Sequence, residues 1–187
     1  KIRETSLAPI SVDTYYPEVA EAAIQAGATM INDIKGLDTP GMAEVLAQYP
    51  EIQVVIMHSR KRQSLSLKEE LHQFYTEKIE QCQKYGLSLE KICFDPGIGF
   101  HKTVAENLQL LKDPNAFRYQ DYPLLYGVSR KRTIGALTNE PEPANRDFGS
   151  AAASLYAAQQ GVEILRVHNV QGLKQTFDVW RALSEKE

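Results

Sequence analysis

The sequence is poor in cysteine and contains no long uninterrupted apolar segment. Two cysteines, Cys82 and Cys93, stand among 187 residues, and neither lies in a spacing typical of metal ligands. We therefore expect reduced thiols in a cytoplasmic protein and not a disulfide framework. No apolar stretch approaches the roughly 20 residues that a membrane-spanning helix needs, so we expect no membrane association.

An excess of basic residues is missing as well. The net charge is −3, with 43% hydrophobic and 24% charged residues, which is an ordinary globular balance. A protein that binds nucleic acid through its phosphates usually carries a basic field, so the composition argues against such a partner. The length corresponds to about one domain.

Short apolar runs alternate with helical patterns along the chain. The predicted strands are 8–13, 29–33, 52–58, 92–95, 123–128 and 163–168. The predicted helices are 17–26, 39–49, 65–85, 103–111, 147–160 and 173–183. These six βα units take about 31 residues each, as in a (β/α)8 barrel of roughly 250 residues. We predict an α/β fold, a (β/α)8 TIM barrel of which 1–187 form a single partial domain; an open doubly wound sheet is the alternative.

Polar residues follow every predicted strand, and this favours the barrel. Barrel enzymes place their sites at the carboxyl ends of all strands, whereas open sheets concentrate them at one switch point. The residues at these ends are Asp13, Asn32, Asp33, His58, Asp95, Ser129, Arg130, Lys131, Arg166 and His168.

The fourth predicted strand ends on a carboxylate beside a glycine-rich turn. Asp95 is followed by Pro96, which removes an N–H and stops the strand. Gly97 and Gly99 permit positive φ and a close approach of another group. Taken alone, the segment fits a turn-capping Asp and a ligand site about equally.

Two pairs of strand-end residues suggest specific ligands. Asp95 accepts two N–H donors and Asn32 offers one donor and one acceptor, which suits the edge of an amino-heterocycle. The alternative for Asn32 is a turn residue, which is common in an Asn-Asp pair. Arg166 and His168 are two apart on a strand and face the same way, which suits a phosphate or pyrophosphate. The alternative is an Arg in an ion pair beside a core His.

Three consecutive cations, Arg130, Lys131 and Arg132, follow the fifth strand. Such a run is usually a solvated face, although here it could direct one Lys into the mouth of a barrel. His58 is a lone histidine, which is more often structural than catalytic.

These segments together resemble the dihydropteroate synthase family. The matching motifs, in family order, are Ile10-Ser11-Val12-Asp13-Thr14, Ile31-Asn32-Asp33, Met57-His58-Ser59-Arg60, 94–100, Ser129-Arg130-Lys131 and Arg166-Val167-His168. The resemblance runs from the family's third barrel strand onward. It implies that 6-hydroxymethyl-7,8-dihydropterin pyrophosphate condenses with p-aminobenzoate to 7,8-dihydropteroate and pyrophosphate, in folate biosynthesis.

The resemblance also implies roles for individual residues. The expected pterin-binding residues are Asp13, Asn32, Met57, Asp95 and Lys131. The expected contacts to p-aminobenzoate are Gly99, Phe100 and Lys131. The expected pyrophosphate-binding residues are Arg166 and His168, and the expected catalytic residues are Lys131, Arg166 and His168.

The family further implies a Mg²⁺ cofactor and a homodimer built through helices late in the chain. Its first-strand Asn-x-Thr-x-Asp-Ser-Phe motif, which supplies a metal-binding Asn, is absent from these 187 residues, as are its first two βα units. We therefore expect no metal ligand within them. The alternatives are a methyltetrahydrofolate-binding methyltransferase domain, a non-catalytic pterin-binding paralogue, and a barrel aldolase with a Schiff base on Lys131.

Overall fold

The computed structural model describes residues 1–184, in which parallel strands alternate with helices. The strands are β1 (Ser11–Asp13), β2 (Met30–Asp33), β3 (Gln53–Met57), β4 (Ile92–Asp95), β5 (Leu125–Tyr126) and β6 (Ile164–Leu165). The helices are α1 (Ile2–Thr5), α2 (Pro17–Gln25), α3 (Met42–Leu46), α4 (Leu67–Tyr85), α5 (Val104–Lys112), α6 (Pro114–Phe117), α7 (Arg132–Thr138), α8 (Asp147–Gln159) and α9 (Val170–Ser184). Among these helices, none is long and apolar enough to cross a bilayer.

The strands lie side by side in chain order. β1 to β4 form one parallel sheet in that order, and β5 pairs with β6 in parallel. Phe94 connects the two groups, because its N–H donates to the carbonyl of Pro123 at 2.9 Å and it bridges to Leu124. A doubly wound sheet reverses its order at a switch point, so this order is that of a βα barrel. Within residues 1–184 the outer edges of β1 and β6 do not pair, and the barrel is not closed.

Local signals explain where the long helices begin and end. Ser66 and Glu69 form a reciprocal capping box at the start of α4, and Thr103 and Glu106 form another at the start of α5. Gly86 ends α4 with φ +78°, a left-handed conformation that costs glycine little. These caps agree with the helix starts and stops predicted from the sequence.

The sheet has two apolar faces, and alternate residues on each strand supply them. The outer face packs against the helices and includes Ile31, Val54, Ile56, Phe94 and Tyr126. The opposite face carries a smaller cluster with one side chain from each of β2 to β6, which we call the inner layer: Met30, Val55, Cys93, Leu125 and Ile164. Side-chain layers of this kind fill the interior of βα barrels.

Candidate functional site

The polar strand ends lie directly above the inner layer. Asn32, Met57, Asp95 and Arg166 each follow the inner-layer residue of their own strand by two positions. Side chains two apart on a strand share a face, so all four project from the inner face. The inner layer is therefore the apolar floor of a candidate site at the carboxyl ends of the strands.

Asp13, Asn32 and Arg166 form a connected group at one side of this site. Asp13 and Asn32 are register partners on β1 and β2. The Asn32 amide donates from Nδ2 to Asp13 Oδ1 at 3.0 Å, and Arg166 Nη2 donates to Asp13 Oδ2 at 2.5 Å. Because a carboxylate only accepts, the amide nitrogen must face Asp13. Asn32 Oδ1 is then buried with no partner among the described residues, which leaves an acceptor for a ligand.

Asp95 combines both roles considered for it. It is 4% exposed, and its Oδ1 accepts the Gly97 N–H at 2.7 Å. Its other oxygen accepts no hydrogen bond from residues 1–184. Burial raises the pKa of Asp95, and the positive charge of Lys131 opposes that rise. One oxygen therefore holds the turn and the other is free for a donor on a ligand.

The turn after Asp95 has the predicted left-handed glycines, with φ +74° at Gly97 and +83° at Gly99. Gly97 lies against backbone, because a Cβ there would stand 2.0 Å from the carbonyl oxygen of His58. A Cβ at Gly99 would stand 2.9 Å from Cδ of Lys131. Both glycines thus allow a close approach that another residue would prevent.

Lys131 reaches from the fifth strand across to this turn. Its Nζ donates to the carbonyl of Ile98 and lies 4.7 Å from the Phe100 ring centroid. Burial lowers the pKa of Lys131, and Asp95 opposes the shift. Of the three consecutive cations, Arg130 pairs with Asp147 at 2.7 Å and Arg132 is exposed, so Lys131 is the one in the site.

Arg166 and His168 stand at the exposed rim. The Arg166 side chain is 53% exposed even though it pairs with Asp13. His168 is exposed, and its Nδ1 lies 2.9 Å from Oγ of Ser129. A cation and an imidazole at the rim leave donors accessible to an anion from solvent.

Sequence reasoning missed a buried charged cluster beside the turn. His58 is 1% exposed, and its Nδ1 lies 3.1 Å from Nζ of Lys102. Burial, together with the positive charges of Lys102, Arg60 and Arg62, lowers the pKa of His58 to about 3. Burial also lowers the pKa of Lys102 to about 8. The only sequence signal for Lys102 was its position two residues after Phe100, the last residue of the matched segment 94–100.

The carboxylate facing His58 is also paired with an arginine. Glu70 Oε1 lies 3.3 Å from Nε2 of His58, while Arg62 binds the other Glu70 oxygen and pairs with Glu106 at 2.8 Å. Burial therefore dominates at His58, which is a neutral structural histidine.

The described residues do not fit a resident metal ion. Residues 1–184 contain no group of three or more His, Cys, Asp or Glu side chains placed to hold one. Both oxygens of Asp13 accept hydrogen bonds, from Asn32 and Arg166, and Asp95 holds the turn at Gly97 with one of its two oxygens.

Known proteins are similar to this chain in sequence and in structure. A model of the pterin binding enzyme family matches residues 1–168. The dihydropteroate synthase of Synechocystis sp. is 39% identical over 184 residues, which cover 94% of this chain and 63% of that protein. The chain thus spans slightly less than two thirds of that curated relative.

Two solved structures of dihydropteroate synthase from Xanthomonas albilineans are similar as well. The structure with 4-aminobenzoic acid has a TM-score of 0.91 at 39% identity, covering 98% of this chain and 70% of that one. The structure in complex with 7,8-dihydropteroate has a TM-score of 0.92 at 39% identity, covering 99% of this chain and 72% of that one. The chain therefore belongs to the pterin binding enzyme family, and the relatives it resembles there are dihydropteroate synthases.

Proposed function

We propose that this chain is part of a dihydropteroate synthase, a transferase that condenses 6-hydroxymethyl-7,8-dihydropterin pyrophosphate with p-aminobenzoate. The products are 7,8-dihydropteroate and pyrophosphate, in folate biosynthesis. The observation that carries the proposal is the pair of free acceptors, Asp95 Oδ2 and Asn32 Oδ1, above an apolar floor. The family match and the relative solved with 7,8-dihydropteroate support it.

The proposal includes a complete (β/α)8 barrel, of which residues 1–187 are a single partial domain with two further βα units outside it. The strand order and the unpaired edges of β1 and β6 support this architecture.

The pterin is proposed to bind by its donor edge. Asp95 and Asn32 would each accept an N–H of the amino-pyrimidinone ring, and Asp13 holds the Asn32 amide in the required orientation. Lys131 would donate to the ring carbonyl, and the buried Met57 would pack against the ring face. The alternating donors and acceptors would then satisfy each polar group that the ligand buries.

The second substrate and the leaving group are proposed to bind on either side of the pterin methylene carbon. Gly99, Phe100 and Lys131 would contact p-aminobenzoate, because the Lys131 ammonium suits a carboxylate and the Phe100 ring suits an aromatic ring. Arg166 and His168 would hold the pyrophosphate at the exposed rim.

The reaction exchanges one bond at that carbon for another. The carbon–oxygen bond breaks and its electron pair leaves on the pyrophosphate, where Arg166 and His168 stabilise the growing negative charge. The amine of p-aminobenzoate forms the new carbon–nitrogen bond and then loses a proton. The electron-rich pterin ring shares the positive charge that develops on the methylene carbon.

Mg²⁺ is expected from the resemblance, but the described residues offer no set of ligands for it. Mg²⁺ is commonly bound by one or two protein oxygens together with substrate phosphates, and the family's metal-binding Asn belongs to the first-strand motif that residues 1–187 do not contain. No step above depends on it.

A homodimer is also proposed. The late helices expose apolar side chains, with Phe148 of α8 at 92% and Val179 of α9 at 61% exposure. Sedimentation velocity would test this, and a monomer at all concentrations would contradict it.

Arg166 and His168 at the rim separate this function from the methyltransferase alternative, which has no pyrophosphate to bind. A non-catalytic pterin-binding paralogue is the other alternative. Binding of a pterin without turnover by the full-length protein would establish it.

Fluorescence titration with a 6-hydroxymethylpterin tests the central claim. We expect saturable binding by the wild-type protein and its loss in Asp95→Ala, with circular dichroism showing that both are folded. A folded wild-type protein that does not bind the pterin would refute the proposed function.

A further inference from the structure

We propose that the start of α8 positions Lys131 by holding the preceding residue, Arg130, in a left-handed backbone conformation. The holding residues are Arg146, Asp147 and Ser150, which we call the α8 clamp. Only the identity of what Lys131 binds rests on the proposed function; the positioning itself does not.

Arg130 has a conformation that its residue type disfavours. Its φ is +59°, a region that glycine occupies freely and that side chains with a Cβ occupy at an energetic cost. Such a conformation persists only where surrounding contacts require it. Arg130 directly precedes Lys131, so the direction of the Lys131 side chain depends on it.

The α8 clamp binds both the backbone and the side chain of Arg130. Oγ of Ser150 accepts the Arg130 N–H at 2.9 Å, and Nη1 of Arg146 donates to the Arg130 carbonyl at 2.9 Å. The Asp147 carboxylate accepts from Nε at 2.7 Å and from Nη2 at 2.9 Å in a bidentate pair. Backbone donor, backbone acceptor and guanidinium are thus all fixed by residues within one helical turn.

The clamp is itself well fixed. Ser150 is 3% exposed and donates to the Arg146 carbonyl at 2.6 Å. Arg146 is 8% exposed and also donates to the carbonyls of Glu140 at 2.9 Å and Pro141 at 2.5 Å. Gly135 makes room for this guanidinium, because a Cβ there would lie 2.8 Å from it.

The same carboxylate also binds the segment that follows the rim residue His168. Asn169, which follows His168, donates from Nδ2 to Asp147 Oδ2 at 3.2 Å and accepts the Gly172 N–H at 2.8 Å at the start of α9. Asp147 therefore connects the segment before Lys131 with the segment after His168. An ordinary surface ion pair would not involve a partner with a left-handed backbone, as Arg130 has, and would not also bind a second segment of the chain.

The test measures where Lys131 is, with no substrate present. Ser150→Ala and Asp147→Asn each remove part of the clamp, while Asp178→Asn breaks the exposed Lys174–Asp178 pair of 2.6 Å and is the matched control. Each protein is acetylated with limiting acetic anhydride, and mass spectrometry gives the labelling rate of Lys131 relative to the exposed Lys61. We expect this ratio to rise about threefold or more in the clamp variants, because Lys131 would leave its buried position more often and its free amine would then be accessible to the anhydride. This gain in access outweighs the higher pKa that the amine has in solvent.

A glycine variant separates positioning from general stability. In an Arg130→Gly background the left-handed conformation no longer needs the clamp, so Ser150→Ala should raise the ratio much less than in the wild type. An unchanged ratio in both clamp variants, or an equal rise in Asp178→Asn, would overturn the proposal. A raised ratio in a protein that binds no pterin would retain the positioning role and refute the proposed function alone.

Discussion

Replacing Asp95 by asparagine should separate ligand binding from stability. In the free protein the amide oxygen can still accept the Gly97 N–H that Oδ1 accepts at 2.7 Å. The change removes a buried charge whose pKa is raised by burial, so the free energy of unfolding should not fall. In the complex, however, an NH₂ group replaces the free oxygen and meets a donor of the pterin.

The cost to binding follows from that exchange. A hydrogen bond to a charged group contributes about 1.5–3 kcal/mol, and the two opposed donors add a desolvation penalty. We expect a loss of about 3 kcal/mol, which is roughly a hundredfold in Kd.

Asp33 provides the matched control. It is also a fully buried strand-end carboxylate, but it points away from the candidate site and accepts from the N–H groups of Lys35 and Leu37, each at 2.8 Å. Asp33→Asn leaves one of these donors without an acceptor, so the free energy of unfolding should fall by about 1–3 kcal/mol. Its affinity for the pterin should stay at the wild-type value.

The two variants and the wild type are compared by pterin fluorescence titration and by urea unfolding. The expected pattern is lost affinity with retained stability for Asp95→Asn and the reverse for Asp33→Asn. Retained affinity in Asp95→Asn, or an equal loss of affinity in both, would refute the assignment of the free Asp95 oxygen.

Three further variants address the rim, the buried cluster and the turn. Arg166→Ala should raise the Kd of the pterin pyrophosphate about tenfold more than that of the pterin without phosphate, and equal losses by titration would contradict this. Burial holds the pKa of His58 at about 3 in the folded protein, whereas in the unfolded chain it is about 6.5. Below about pH 6.5 the proton therefore binds His58 in the unfolded chain but not in the folded one, so the free energy of unfolding should decline towards acid pH. His58→Gln should flatten that decline in urea unfolding between about pH 4 and 7, and an unchanged slope would count against it. Gly97→Ala would place a Cβ 2.0 Å from the carbonyl oxygen of His58, so it should lower the Tm far more than Gly86→Ala, where φ is also positive but the space is open. Equal effects on the Tm would show that backbone strain alone matters.

The alternation of strand and helix was accessible from the sequence because it rests on local signals. Every predicted strand contains an observed one, and β4 has the predicted bounds. β5 and β6 are much shorter than predicted, although Leu124 and Val128 on either side of β5 are buried in the core. The predicted position of Asp95 beside two left-handed glycines is confirmed.

The helices that tertiary contacts stabilise were not predictable. α7 contains Gly135 and β-branched residues and has weak intrinsic propensity, but it packs against the Arg146 guanidinium. α6 is only four residues long. α8 begins at Asp147 as predicted, but nothing in the sequence indicated that the Asp147 carboxylate binds Arg130.

The site was predictable as a set of strand ends but not as a geometry. The bond between Asn32 and Asp13 leaves the amide oxygen free, and this depends on the register of β1 and β2. Likewise, nothing local in three consecutive cations shows which one enters the site. The roles of these residues toward substrates stay predictions.

The inner layer makes strand register and ligand recognition inseparable. Met30, Val55 and Cys93 each lie two residues before a side chain of the candidate site on their own strand. Since side chains alternate, a slip of one residue would bury the wrong face and turn the site residue outward at the same time. A ligand bound across β2, β3 and β4 would therefore favour the native alignment over every slipped one. Its binding free energy would add to the stability of the correctly aligned sheet. Substitutions in the floor would then change affinity through folding errors as well as through contact.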